Sequence, residues 1–419
     1  MSLLVTPTIR SEQLSNGLQV CLVERRQAPV VATALCYRAG TLDEPPGQEG
    51  VAHFLEHMMF RGSSEFGEGE IDRLTQALGG SNNADTSHDC TTYYFSFARD
   101  RWTTALEIEA DRMAGLLLEP AVVEAERAII LEEVKMHQDD PWDALEEQVM
   151  AALYGHHAYG RPVLGTVDSL KCVDRMALAE FQTRCYRPEN AVLAIAGDVG
   201  LEAFEEVERF FAEASGGERP RSRSLGKMGP SSAQRVERHQ GEVARLLCAV
   251  RAPALGDPEY PAMRLMAAIL GTGRASRLNR SLVEEARSCA FVSVEMTETL
   301  VAGALLIAAE VIPGWRPPKV ERMLLNELER VADGFFEEDE LARAKSLLIA
   351  DWVFGHEQAQ EMALTIATAG ALMDPELPAR HLEKIQSCSL LEVREAAAHY
   401  LGAASPKVVG WSLPPNSRR

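Results

Sequence analysis

Residues 50–60 read GVAHFLEHMMF, and this stretch carries the strongest chemical signal in the chain. Its residues are good helix formers, so the sequence predicts a helix over Gln48–Phe60. Residues i and i+4 of a helix lie on one face, so His53 and His57 can hold one zinc ion between them. Glu56 shares that neighbourhood and can reach a water on the ion without binding the ion itself.

The pentad alone leaves two interpretations open. His-x-x-Glu-His is the reversed form of the zincin motif. With 10 His and 62 Asp and Glu in 419 residues, it should arise by chance only about 0.04 times per chain. The alternative is a helix whose two histidines are ordinary polar residues with satisfied hydrogen bonds.

A catalytic zinc ion needs a third protein ligand, because three donors leave the fourth position to water. The best candidate is Glu133, in the helical stretch AERAIILEEVKMH at 125–137. Glu126 shares its face, since a step of seven residues drifts by only about 20°. One carboxylate can bind the metal while the other orients a ligand. Glu132, about 100° around the helix, is the alternative ligand, and a solvated helix face is the alternative role for all three.

A Gly-, Ser- and Pro-rich stretch, SGGERPRSRSLGKMGPSS at 215–232, predicts a linker between domains 1–214 and 233–419. The same order of elements recurs on either side of it. We therefore predict an α+β fold of two homologous α/β domains, each a mixed, mainly antiparallel sheet covered by helices. The N-terminal domain binds zinc, and the C-terminal domain, whose matching helix lacks the pentad, is noncatalytic. The predicted strands include 18–24, 30–37, 191–196, 242–251 and 407–411.

The amino-acid composition disfavours several classes of function. The net charge of −20 disfavours a nucleic-acid binder. The longest strongly apolar stretch, 301–309, is far shorter than the roughly 20 residues that span a bilayer, so no membrane association is expected. Eight cysteines without a Cys-x-x-Cys pair predict reduced thiols. Together with an N-terminus that lacks a secretory segment, they predict a cytoplasmic protein.

Five ordered segments resemble the pitrilysin and insulinase type of zinc metallopeptidases, which includes the mitochondrial processing peptidases and many half-size bacterial proteins. The resemblance covers nearly the whole chain. The segments are LSNGLQV (14–20), GVAHFLEHMMFRGS (50–63), GGSNNADTSHDCTTYYFSF (79–97), ERAIILEEVKMHQDDP (126–141) and YGHHAYGRPVLGT (154–166).

This resemblance implies a zinc-dependent endopeptidase with one zinc ion per chain. It implies that His53, His57 and Glu133 bind the zinc, that Glu56 is the general base, and that Glu126 supports the site. A noncatalytic scaffold of the same fold is the alternative from another function class. A structural zinc site is disfavoured because no Cys pair stands near His53, and no Gly-x-Ser-x-Gly elbow supports serine hydrolase chemistry.

The resemblance also implies that Asn83 and Ala84 lie on an edge strand, along which a peptide substrate adds as a further strand. An unpaired strand edge offers main-chain hydrogen bonds to any extended peptide. The other interpretation of Asn83 is an ordinary turn residue after two glycines.

The C-terminal half departs from the family pattern. Relatives often offer an Arg and a Tyr that grip the substrate backbone, after a glycine-rich turn and a Ser-Arg-Leu. Residues 276–278 keep Ser-Arg-Leu, but Val283 and Phe291 (or Ala290) stand where the pair would fall, and none can form such a clamp. We therefore expect a heterodimer with a homologous zinc-less subunit that carries the clamp. A homodimer using Arg287 is the alternative.

Overall fold

The computed structural model describes residues 7–214, 216 and 225–415, and no helix in these ranges has the length and hydropathy needed to cross a membrane. Residues 216 and 225–232 of the predicted linker belong to no helix or strand, and its other residues lie outside the described ranges. The strands are β1 (Arg10–Gln13), β2 (Gln19–Glu24), β3 (Val30–Tyr37), β4 (Ser81–Thr86), β5 (Thr91–Ala98), β6 (Ala191–Gly197), β7 (Gln234–His239), β8 (Arg245–Ala252), β9 (Cys289–Met296), β10 (Gly303–Val311) and β11 (Lys407–Leu413). The helices are α1 (Val51–Met58), α2 (Glu70–Ala77), α3 (Thr103–Gly115), α4 (Pro120–Asp139), α5 (Asp143–Tyr154), α6 (Val167–Cys172), α7 (Arg175–Cys185), α8 (Glu202–Phe211), α9 (Tyr260–Gly271), α10 (Pro317–Ala332), α11 (Glu338–Gly355), α12 (Ala359–Leu372), α13 (Leu377–Ser387) and α14 (Leu390–Leu401).

The first compact unit contains a six-stranded sheet in the order β1-β2-β6-β3-β5-β4. The β2–β6 pair is parallel and the other pairs are antiparallel. Alternate residues of β3 enter two different cores. Val31 and Leu35 pack with α1 and its neighbouring helices, whereas Ala32 and Ala34 pack against α12. Burial on both faces explains why this strand reads as an almost unbroken apolar run. The described residues of this unit are 7–134, 162–214, 216 and 353–380.

The second compact unit contains a five-stranded sheet in the order β7-β11-β8-β10-β9, with β7–β11 as its parallel pair. One face packs on an apolar core that includes α9, α10 and α14. Helix α5 covers the other face closely, since a Cβ atom on Gly410 of β11 would lie 2.4 Å from the Val149 side chain. The described residues of this unit are 135–161, 225–352 and 381–415.

The two sheets share one topology. Strands β2-β6-β3-β5-β4 and β7-β11-β8-β10-β9 repeat the same pairings, one parallel and three antiparallel. The predicted fold class, two homologous α/β domains with mixed, mainly antiparallel sheets, is confirmed.

The domain boundaries 1–214 and 233–419 stay a prediction about the two repeated segments of sequence. The compact units differ from these segments, since each unit includes one helix from the other half of the chain. Helix α12 covers the first sheet and α5 covers the second. Each sheet has an apolar second face, and these helices remove that face from water.

Candidate active site

Helix α1 starts at a backbone position that suits glycine. Gly50 precedes it with φ of 94°, and a Cβ atom there would lie 2.6 Å from the carbonyl oxygen of Leu164. Gly50 has no side chain to cap the helix, so the buried Glu44 does this instead. Its Oε1 accepts hydrogen bonds from the N–H groups of Gly50 (3.0 Å) and Ala52 (3.1 Å). A carboxylate is favourable at this end of the helix dipole, and it fixes where α1 begins.

The structure brings the three predicted metal ligands together. Glu133 of α4 places its Oε2 atom 3.8 Å from His53 Nε2 and 3.6 Å from His57 Nε2. One donor atom from each residue lies within 4.8 Å of the other two. Two donors about 2.0–2.1 Å from a tetrahedral zinc ion would lie about 3.4 Å apart, so a modest adjustment would seat the ion. The group of possible ligands in the described residues contains Glu133 and does not contain the alternative, Glu132.

Glu126 fixes the orientation of one predicted ligand, His57. Its Oε1 atom lies 2.7 Å from His57 Nδ1 and accepts a hydrogen bond of 3.1 Å from Arg61. Burial lowers the pKa of His57, but the hydrogen bond and charge of Glu126 raise it above its ordinary value. Burial raises the pKa of Glu126, but the bonds from His57 and Arg61 bring it below its ordinary value. In neutral His57, Nδ1–H donates to Glu126 and the Nε2 lone pair faces Glu133.

Glu56 lies beside the predicted ligands, and its carboxylate is hydrogen-bonded to a strand residue. Its Oε2 atom accepts a hydrogen bond from the hydroxyl of Thr86, at the end of β4. Burial raises the pKa of Glu56, the Thr86 bond and His57 lower it, and Asp85 and Glu133 raise it, with a net rise. A carboxylate with a raised pKa is suited to accept and return a proton.

Asn83 and Ala84 lie on β4, the outermost strand of the first sheet, which pairs with β5 alone among the described strands. The Asn83 Oδ1 atom accepts a hydrogen bond of 2.9 Å from the Ala84 N–H. This N–H therefore points away from β5, toward the open side of the strand. Ala84 also packs partly against the core.

In the second unit, the positions of the expected clamp carry no hydrogen-bonding side chains. Val283 packs against the core, and Phe291 is exposed on β9 beside Trp142, with ring centroids 5.7 Å apart. Arg277 is buried and forms a bidentate ion pair with Glu340, through bonds of 2.9 and 2.8 Å. The retained Ser-Arg-Leu therefore places its arginine inside the unit.

Sequence reasoning missed three residues that support the site, Glu44, Arg61 and Thr86. Arg61 follows His57 by four residues, so helical spacing could have indicated that it lies near the same carboxylates. Glu44 and Thr86 act from a loop and from a strand, and no periodic pattern connects them to α1. Their roles follow from tertiary contacts.

Comparisons with known proteins show the family of this chain. The family model described as Insulinase (Peptidase family M16) matches residues 19–167, and the model described as Peptidase M16 inactive domain matches residues 173–348. An "uncharacterized zinc protease" of Mycobacterium tuberculosis is 31% identical over 400 residues, covering 94% of this chain and 90% of that protein. Another, from Streptomyces coelicolor, is 29% identical over 406 residues, covering 94% of this chain and 88% of that protein.

Solved structures show the same fold. A protease from Helicobacter pylori superposes with a TM-score of 0.92 at 22% identity, covering 98% of this chain and 100% of that one. A putative M16-like peptidase from Alicyclobacillus acidocaldarius has a TM-score of 0.88 at 24% identity, covering 99% of this chain and 100% of that one. The resemblance indicated by the five sequence segments is confirmed, and this chain belongs to the insulinase family of peptidases, peptidase family M16.

Proposed function

We propose that this chain is a zinc-dependent endopeptidase with one zinc ion per chain. The observation that carries the proposal is the approach of Glu133 to within 3.8 Å of both His53 Nε2 and His57 Nε2. Two imidazole nitrogens and one carboxylate form a typical ligand set of a catalytic zinc site. Glu126, on the far nitrogen of His57, matches the carboxylate that commonly orients such a ligand. The relatives named as zinc proteases support this assignment.

Several residues of the chain have distinct roles in the proposed peptide hydrolysis. A zinc ion held here would lower the pKa of a bound water to about 7 and polarise the scissile carbonyl. Glu56 takes the proton of the attacking water and returns it to the leaving amine. Glu126 and Arg61 keep His57 in the tautomer that presents Nε2. Thr86 bonds one oxygen of Glu56, which leaves the other oxygen for the proton.

Substrate adds as a strand beside β4 in this proposal. The outward N–H of Ala84 is a main-chain donor on the open side of the sheet, and α1 packs against the same strand. An extended peptide that pairs there receives main-chain hydrogen bonds whatever its side chains are. Asn83 gives up its hydrogen bond to Ala84 when the substrate carbonyl takes the N–H.

Replacing Ala84 by Pro tests this strand addition. Proline has no N–H, and an edge strand tolerates it where the N–H faces away from the neighbouring strand. We expect kcat/KM for peptides to fall about tenfold or more in Ala84→Pro, with zinc content unchanged. Ala84→Val, which keeps the N–H, is the control and should stay near wild type. Equal losses in both variants would show that the side-chain position matters and that the main-chain donor does not.

The proposed working assembly is a heterodimer with a homologous zinc-less chain that supplies the backbone clamp. Val283 in the core and Phe291 on β9 support this, because neither can hydrogen-bond a peptide through its side chain. A homodimer is the alternative, with Arg287 as the substitute. Arg287 has φ of 52°, an unusual conformation for a residue with a side chain.

Mixing experiments distinguish these assemblies. A peptide library is offered to the zinc-loaded chain alone and to the chain mixed with a zinc-less homologue. The heterodimer predicts that kcat/KM rises about tenfold or more on mixing, because substrate positioning is completed. Full activity of the isolated chain would contradict it, and loss of that activity in Arg287→Ala would favour the homodimer.

We also propose that the protein is cytoplasmic. None of its eight cysteines, all of which lie in the described ranges, forms a disulfide, and seven of them are buried. Cysteines outside disulfides are typical of a reducing compartment.

A further inference from the structure

The carboxylate of Glu56 contacts the hydroxyl of one threonine, which in turn contacts the hydroxyl of a second threonine. Thr86 ends β4 and bonds Glu56 Oε2, and Thr91 begins β5 directly opposite it in the strand register. Their hydroxyl oxygens are 3.3 Å apart. Thr91 is fully buried. The general base proposed above is therefore held from the interior of the sheet.

Buried tyrosines continue this line of hydroxyls. The Tyr186 hydroxyl is hydrogen-bonded to Thr91, and the Tyr93 hydroxyl lies 3.0 Å from that of Tyr186. Both tyrosines are buried. The guanidinium of Arg112 lies over the Tyr93 ring, 4.2 Å from its centroid, and pairs with the buried Glu109.

Counting protons shows which group receives the proton of the Thr86 hydroxyl. A carboxylate only accepts, so the single proton of Thr86 points at Glu56. The Thr86 oxygen is then left as an acceptor toward Thr91, which also has the carbonyl oxygen of Ala39 within reach of its proton, at 3.0 Å.

We propose that Thr86 is a positioning residue, which holds the carboxylate of Glu56 in the orientation of a general base. The inference rests on the proposed peptidase function. Without this hydrogen bond, the carboxylate is free to turn about its side-chain torsions, away from the attacking water. Misplacement by about 1 Å is enough to lower a rate about 100-fold.

Thr86→Val, which removes the hydroxyl and keeps the shape, is the decisive variant. We expect kcat to fall about tenfold to 100-fold, with KM and the Kd for zinc within about twofold of wild type. Thr86→Ser restores the hydroxyl and should recover kcat to within about threefold. Thr92→Val is the matched control, because Thr92 is the next residue of β5, is buried and bonds Cys36 Sγ at 3.1 Å. A kcat of Thr86→Val equal to that of Thr92→Val would overturn the proposal.

A crystallographic readout does not depend on activity. In metal-free wild-type crystals, Glu56 Oε2 should lie within hydrogen-bond distance of Thr86, and in Thr86→Val the carboxylate should rotate away from that position. An unchanged Glu56 rotamer in the variant would overturn the positioning role even if the enzyme proves inactive. Should Thr86→Val fail to fold, Thr86→Ala replaces it with the same expectations. Failure of the peptidase function itself would show separately, as wild-type protein that cleaves no peptide.

Discussion

Replacing Glu56 by Gln is expected to lower kcat about 10³-fold while the zinc content stays at the wild-type level. Glutamine has the same size, and its amide oxygen can still accept the hydrogen bond from Thr86. It cannot take a proton from water, because a neutral amide is not a base at working pH. Glu56 is also outside the ligand group of His53, His57 and Glu133, so the affinity for zinc should not change.

The measurement pairs turnover of a fluorogenic peptide with metal analysis of the same sample. Glu107→Gln, which changes an exposed carboxylate on α3, is the matched control. Near wild-type turnover in Glu56→Gln would remove Glu56 from the mechanism. The alternative function, a noncatalytic scaffold of the same fold, predicts that neither variant nor wild type cleaves peptide.

Replacing Glu133 by Gln is expected to weaken zinc binding about 100-fold or more, beyond the 10–100-fold typical of residues that only orient a ligand. The substitution removes the negative charge that lies 3.6 Å from His57 Nε2 and 3.8 Å from His53 Nε2. A neutral amide oxygen is a much poorer zinc ligand than a carboxylate. Peptidase activity should be lost together with the metal.

Glu132 offers a matched control for this change. It is the preceding residue of α4 and is exposed, about 100° around the helix from Glu133. Glu132→Gln should bind zinc as tightly as wild type. Titration with a competing chelator measures both variants, and loss of zinc affinity in Glu132→Gln with retention in Glu133→Gln would reverse the assignment of the third ligand.

Helical and strand periodicity predicted most of the elements that hold the site. The predicted helix over 48–60 is α1, and β3 occupies the predicted residues 30–37. The spacing of seven between Glu126 and Glu133 correctly placed both on one face of α4, because that relation is local. Local patterns therefore sufficed to predict that these two carboxylates lie together with the two histidines.

Contacts between distant parts of the chain determine the features that periodicity in the sequence does not predict. Helix α1 begins three residues later than predicted because Glu44 bonds the N–H groups of Gly50 and Ala52. The approach of Glu133, and not Glu132, to the two histidines depends on how α4 packs against α1. The covering of the first sheet by α12 joins residues more than 300 positions apart, and no periodicity encodes that partner. Thr86 likewise meets Glu56 only through the pairing of β4 and β5 and the packing of α1 on β4.

The most direct test of the proposed zinc site is diffraction from crystals of the zinc-loaded chain, measured on both sides of the zinc absorption edge. A single anomalous peak per chain, bonded at about 2.0–2.2 Å to His53 Nε2, His57 Nε2 and a Glu133 carboxylate oxygen, is the predicted result. The absence of a peak between these three side chains, or a peak bound by other residues, would contradict the zinc peptidase assignment.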